Sequence, residues 1–108
     1  MKIVIEELCP GERDVFEYKV RAYRKKLEKG ETLEPIRVVE VAGRKHVRDG
    51  AHRVRATIDY CEARNLLPEI EYIDGSEPPI YPLYPVTCKM IVDDFGCGVE
   101  GFKRIPLL

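Results

Sequence analysis

The hydrophobic period changes at Gly50, and that change restricts the possible folds more than any other feature of the chain. Upstream, "EPIRVVEVAGRKHVRDG" alternates as two strands, about 36–41 and 45–48, around a turn at Ala42-Gly43. Downstream, Ala51, Val54, Ile58 and Cys61 step by 3, 4 and 3, which predicts a helix over 51–64 with one buried stripe. Cys61 is then a small core residue. Arg53 and Arg55 fall off that stripe, which leaves them free to face a ligand or solvent.

The remaining segments follow the same two periods. Residues 2–8 read as a strand, and "CPGERD" as a turn. Phe16, Val20, Tyr23 and Leu27 mark one face of a helix from Asp14 to about Lys29, with Asp14 as N-cap and Gly30 as stop. Residues 69–74 alternate as a strand. The proline-rich run 78–85 reads as extended and irregular, residues 86–92 as a last strand, and the rest as a tail without period. The order predicts an α+β fold: a small mixed sheet with two main helices. All of residues 1–108 then form one domain, with a core over 3–74 and a Pro/Gly-rich C-terminal extension over 75–108.

Composition narrows the class. Charged residues make up 34% and hydrophobic residues 44%, with no apolar run near the roughly 20 residues of a membrane span. The start "MKIVIEEL" lacks a secretory apolar region, so a cytoplasmic protein without membrane partners is expected. Four cysteines without a C-x-x-C pair argue against zinc, and no metal ligand set is assigned. Gln is absent and Asn and Ser occur once each beside many charges, a thermophile-like pattern. An intracellular disulfide is then admissible, and Cys88–Cys97 is the first pair to suspect.

Charge is distributed unevenly. Arg44–Arg55 holds five Lys/Arg, one acid and both histidines, although the whole chain carries −1 with a pI near 6.1. Such a local field suggests an anion site. A helix starting at Ala51 presents unpaired N–H groups and a positive dipole end, and Gly50 admits a ligand close to the backbone. Arg53 adds a planar fork of donors and His52 a donor that is cationic near neutral pH. Together Gly50, Ala51, His52 and Arg53 form a phosphate cradle, with Arg48 as an outer contact. The plainer alternative is that Asp49 caps the helix while the basic side chains face water. Elsewhere, His46 reads as a surface residue, Cys97 as exposed and incidental, and Asp93-Asp94 as a solvated turn. Tyr81 and Tyr84 read as packing the tail onto the sheet.

The stretch "LEKGETLEPIRVVEVAGRKHVRDGAHRVRATI" resembles the core of the ParB/sulfiredoxin superfamily. Leu33-Glu34-Pro35-Ile36-Arg37-Val38 matches its Leu-x-Pro-Ile-x-Val strand motif. Asp49-Gly50-Ala51-His52-Arg53, with Ala56 beyond, matches its Asp-Gly-x-His-Arg-x-x-Ala turn. The resemblance covers about residues 3–74 and implies nucleotide phosphates held at the glycine turn. Ala51 stands where sulfiredoxins carry their reactive cysteine, which excludes that activity. Partition proteins have Gly-Glu-Arg-Arg at the turn and a helix-turn-helix domain downstream, and neither is present here.

The turn is closest to that of the free-serine kinases, whose functional glutamate follows a proline after the first strand; Glu12 of Pro10-Gly11-Glu12 occupies that place. The resemblance therefore implies a phosphotransferase using ATP or ADP, with CTP also admissible, and Mg²⁺. Glu12 would be the base toward a small hydroxyl substrate, Asp49 would orient the substrate or hold the metal, and His52 belongs to the same set. Two other readings stand beside it. One is a nucleic-acid-associated, nuclease-like module binding DNA weakly and with steep salt dependence; the other is a non-catalytic interaction domain. The sequence leaves the oligomeric state open.

Overall fold

The computed structural model describes residues 1–75 and 84–108. The strands are β1 (Lys2–Val4), β2 (Leu8–Cys9), β3 (Ile36–Val41), β4 (Arg44–Asp49) and β5 (Glu69–Asp74). The helices are α1 (Glu17–Glu28), α2 (Ala51–Ala63), α3 (Tyr84–Phe95) and α4 (Gly98–Arg104). A five-stranded mixed sheet in the order β1-β5-β3-β4-β2 carries them. β3 runs antiparallel to β4 and parallel to β5, so the hairpin sits at the centre of the sheet. The fold is α+β, as the periods predict.

The hairpin turn has Ala42 at φ 52° and Gly43 at φ 78°, the left-handed pair that suits the twist of two adjacent strands. The first strand is interrupted. A single 3₁₀ turn at Ile5–Glu7 separates β1 from β2, so the chain pairs with β5 at one sheet edge and with β4 at the other. Ile5 and Leu8 are fully buried on either side of that turn and join Ile36, Val38, Val47, Val54, Ile58 and Ile70 in the main core.

Three expectations are corrected here. Residues 86–92 form the middle of α3, not a strand. Cys88 and Ile91, at helical spacing, are both about 1% exposed, and Pro85 sits in the first turn, where its missing N–H costs nothing. The tail folds into α4, which inserts Phe102 into the main core and Ile105 against Val15 and Val20, so residues 84–108 are not an extension. Asp14 does not cap α1. The N-cap is Phe16, and the Glu17 N–H is met by the Leu108 carbonyl at 3.0 Å. Tyr81 and most of the proline-rich run lie outside the described residues.

The cysteines pair differently from the expectation. Cys9 on β2 is bonded to Cys97, which N-caps α4, while Cys61 and Cys88 are buried thiols outside the disulfide. Strand pairing already fixes Cys9 beside His46, and the close packing of α4 against β2 brings Cys97 to it with a Cα separation of 4.3 Å. Cys88 instead faces inward from α3. Among the described residues, no helix is long and apolar enough to cross a membrane.

Candidate functional site

α1 packs across α2, and their contact places the start of α2 at the floor of a cleft of about 530 Å³. That size falls within the roughly 300–1,000 Å³ typical of small-molecule sites. Glu12, Asp49, Gly50, Ala51, His52 and Arg53 all line it, so six of the seven residues singled out in the sequence converge on one place. The seventh, Arg48, points away and donates to the Gly75 carbonyl.

Gly50 is the N-cap of α2 at φ 115°, with no side chain capping the helix. The first intrahelical bond is Val54 N–H to the Gly50 carbonyl at 3.0 Å, so the N–H groups of Ala51, His52 and Arg53 precede the ladder at the cleft floor. Asp49 therefore does not cap the helix. Its carboxylate instead lies 3.3 Å from Arg53 Nη2 and is mostly exposed.

The arginines behave differently from the expectation that they are free to face a ligand or solvent. Arg53 is only 8% exposed, and its Nη1 donates to the Glu34 and Pro35 carbonyls at 2.9 and 2.8 Å. It ties the segment before β3 to α2, because the stripe around Ala51, Val54 and Ile58 is flanked by further packed surface. Arg55 is likewise drawn inward: it donates to the Phe102 and Lys103 carbonyls near the end of α4 and pairs with Asp59. Cations there complement the helix dipole. The basic cluster in the sequence thus largely pins backbone segments together.

His52 is also corrected. Its Nε2 accepts the Phe16 N–H at 3.0 Å, and its ring stacks on Phe16 at 7°. An accepting Nε2 requires the neutral ring with its proton on Nδ1. Burial, and then Lys19, lower its pKa from 6.5 against the pull of Asp49. His52 positions the start of α1 and is not a cationic donor.

The cleft's remaining cations come from α1, which the sequence reading assigned no functional role. Tyr18, Lys19, Ala22, Tyr23 and Lys26 line its other wall. Their spacing of 1, 3, 1 and 3 places them along one helix face, the signal that was available in the sequence. Lys26 lies 5.7 Å from the Tyr23 ring centre and Lys19 6.0 Å from that of Tyr18. Against these cations stands Glu12, half-buried between β2 and α1. Burial raises its carboxyl above the ordinary 4.5, Asp49 and then Asp14 add to the rise, and Lys19 opposes it.

This yields a pH-dependent stability. A raised native pKa means the folded state holds the proton more tightly, so this group's contribution to stability is full below 4.5 and is lost as pH rises through the native value. Glu12→Gln is expected to raise the melting temperature at pH 7 and to leave it unchanged at pH 3. Equal melting curves at both pH values would show that the fold does not strain this carboxylate.

The fold and site define an α+β protein with an uncapped helix start, two lysines and a half-buried carboxyl around one cleft. Compared with protein-family models, curated proteins and solved structures, the chain has no match.

Proposed function

We propose that the cleft binds the phosphates of a nucleotide and that the protein is a ParB/sulfiredoxin-like phosphotransferase acting on a small hydroxyl compound. The observation that carries this reading is the meeting of Glu12 with the uncapped start of α2 in one cleft. The N–H groups of Ala51, His52 and Arg53 supply fixed donors for phosphate oxygens. Lys19 and Lys26 supply mobile charge opposite them, and Tyr18 and Tyr23 offer aromatic faces for the rest of the ligand.

The residues also fit Mg²⁺. Asp49, mostly exposed at the cleft, would hold the ion, since Mg²⁺ with a nucleotide needs only one or two carboxylates. When bound, the ion would neutralise phosphate charge. In the transfer, the hydroxyl oxygen forms the new bond to the terminal phosphorus as the bond to the rest of the nucleotide breaks, leaving the diphosphate from ATP or the monophosphate from ADP. Glu12 accepts the hydroxyl proton, a role its raised pKa suits. Asp49 orients the acceptor at the mouth of the cleft. We place the protein in the cytoplasm of a thermophile; the amide-poor composition supports the thermophile reading, under which the Cys9–Cys97 bond is admissible inside a cell.

Calorimetric titration with ATP, ADP and CTP in the presence of Mg²⁺ tests the reading. Arg53→Ala is a poor control because Arg53 holds backbone carbonyls; the exposed Lys19 is a cleaner probe. Micromolar binding of at least one nucleotide is expected, weakened about tenfold in Lys19→Ala. Glu12→Gln should retain binding and lose release of the dephosphorylated nucleotide (ADP from ATP, AMP from ADP) with L-serine as acceptor. A folded protein that binds none of the three nucleotides, or retains only DNA in a salt-dependent manner, would overturn the proposal.

A further inference from the structure

The loop that carries Glu12 is held on both flanks by the junction of α3 and α4. Before Glu12 the contact is covalent, the Cys9–Cys97 bond. After it, Arg13 Nη2 donates to Asp94 Oδ2 at 2.8 Å, and the Arg13 guanidinium lies 5.6 Å from the Phe95 ring centre. Asp94 is thus paired and sits in the last turn of α3, not in a solvated turn.

The two jaws differ in strength. Arg13 and Asp94 are both about half exposed, and exposed ion pairs contribute little, so the disulfide carries most of the clamp. The ends of the loop have anchors of their own. Cys9 pairs with His46 across the sheet, and the Pro10 carbonyl accepts a hydrogen bond from the His46 ring. His46, expected at the surface, is only 3% exposed, which shields that bond. At Val15 the chain is fixed again, since its carbonyl accepts the Leu108 N–H at 2.9 Å. Gly11 to Asp14, with Glu12 among them, is the stretch that depends on the junction.

The bond is also within reach of a reagent. A cavity of about 470 Å³ has Cys9 and Cys97 in its wall, beside Glu6, Glu7, Arg44 and Lys45. Glu6 is engaged, accepting the Val99 N–H at 3.3 Å. Arg44 Nη1 lies 3.8 Å from Cys97 Sγ in an exposed contact. A guanidinium there favours sulfur as a thiolate. Cys61 and Cys88, by contrast, are buried, and burial raises the Cys61 thiol. Exchange chemistry is therefore directed to the Cys9–Cys97 pair, and an accessible disulfide is the kind that thiols reduce.

We propose that the α3–α4 junction clamps the Glu12 loop, and that the Cys9–Cys97 bond is its redox-sensitive jaw, opened by exchange with a dithiol. One thiolate of the dithiol attacks Cys97 Sγ, forming a mixed disulfide as the bond to Cys9 breaks. The Cys9 sulfur leaves as a thiolate and takes up a proton. The second thiol of the reductant then attacks the first sulfur, releasing Cys97 as a thiolate beside Arg44. The dithiol becomes a disulfide, and its two electrons reduce the protein bond. The effect on phosphoryl transfer rests on the reading of Glu12 as base; the clamp itself does not.

The test uses the full chain, dithiothreitol as the dithiol, and backbone ¹⁵N relaxation without any ligand. Under native conditions the reduction rate should rise in proportion to dithiothreitol concentration. The order parameters of Gly11, Glu12 and Arg13 should fall from about 0.85 to below about 0.6, while those of α2 stay in place. Lower stability alone does not move them, because relaxation reports the folded state. Cys97→Ser should show the reduced values with or without dithiothreitol. With ATP, Mg²⁺ and L-serine, reduction should lower kcat about tenfold and change KM little, as expected of a displaced base. A reduction rate that levels off at the unfolding rate, order parameters unmoved by reduction, or an unchanged kcat in a protein that does transfer would each overturn the proposal. A loosened loop with no transfer in either redox state would support the clamp and overturn the phosphotransferase reading instead. These readouts are taken on the wild-type chain, so they decide the matter even if the variant does not fold.

Discussion

Reducing the Cys9–Cys97 bond is expected to lower stability by about 2–5 kcal/mol. The bond closes a loop between residues 88 positions apart, nearly the whole chain. On the loop-closure argument, a link of that span restricts the unfolded chain by about 4–5 kcal/mol at 25 °C. In the native state it joins β2 to the first turn of α4, whose Phe102 belongs to the main core. Those packing contacts survive reduction, so the fold should persist while its margin shrinks. Thermal melts of the oxidised protein, the reduced protein and Cys97→Ser provide the measurement. The reduced and Cys97→Ser curves should coincide, with a melting temperature lower by about 10 °C or more. Under denaturing, non-reducing conditions two thiols, Cys61 and Cys88, should titrate. Four titrating thiols, or melts unchanged by reductant, would show that the bond does not form in solution.

The same region shows what the sequence did and did not reveal. The hairpin, α2 and β5 were legible because each buries one face, and a buried face writes its period into the chain. α3 was not. Val86, Thr87, Ile91 and Val92 favour a strand by local preference, and the helix exists because Cys88 and Ile91 pack inward at helical spacing. α4 was hidden by its glycines. A Cβ at Gly101 would strike the Gly96 backbone, so close approach outweighs helix preference there. In the cleft, the turn from Asp49 to Arg53 was legible as a unit. The roles of its side chains were not, because what captures Arg53 and His52 comes from distant segments: the Glu34 and Pro35 carbonyls and the Phe16 N–H. Charge counting sees cations but not the carbonyls that hold them.

Gly50→Ala is expected to cost about 2–6 kcal/mol, and a matched control separates its two causes. At φ 115° any residue with a Cβ is strained, by about 1–3 kcal/mol. The added carbon would also sit 2.5 Å from Ile36 Cγ2 and 3.2 Å from Arg53 Nη2. Ile36 is fully buried at the start of β3 and has nowhere to retreat, and overpacking of this kind costs about 1–3 kcal/mol more. Gly30, just past the end of α1, has a φ of 81° but nothing within 4 Å of its would-be Cβ. Gly30→Ala should therefore lose only the backbone portion, and the difference between the two variants measures the contact with Ile36. If urea melts give the two substitutions the same cost, Ile36 yields and the turn tolerates a side chain. If Gly50→Ala costs clearly more, the glycine is required by packing beneath the cleft, independently of any ligand above it. The cleft would share that cost, since the atoms that the new carbon displaces include the Arg53 guanidinium lining its floor.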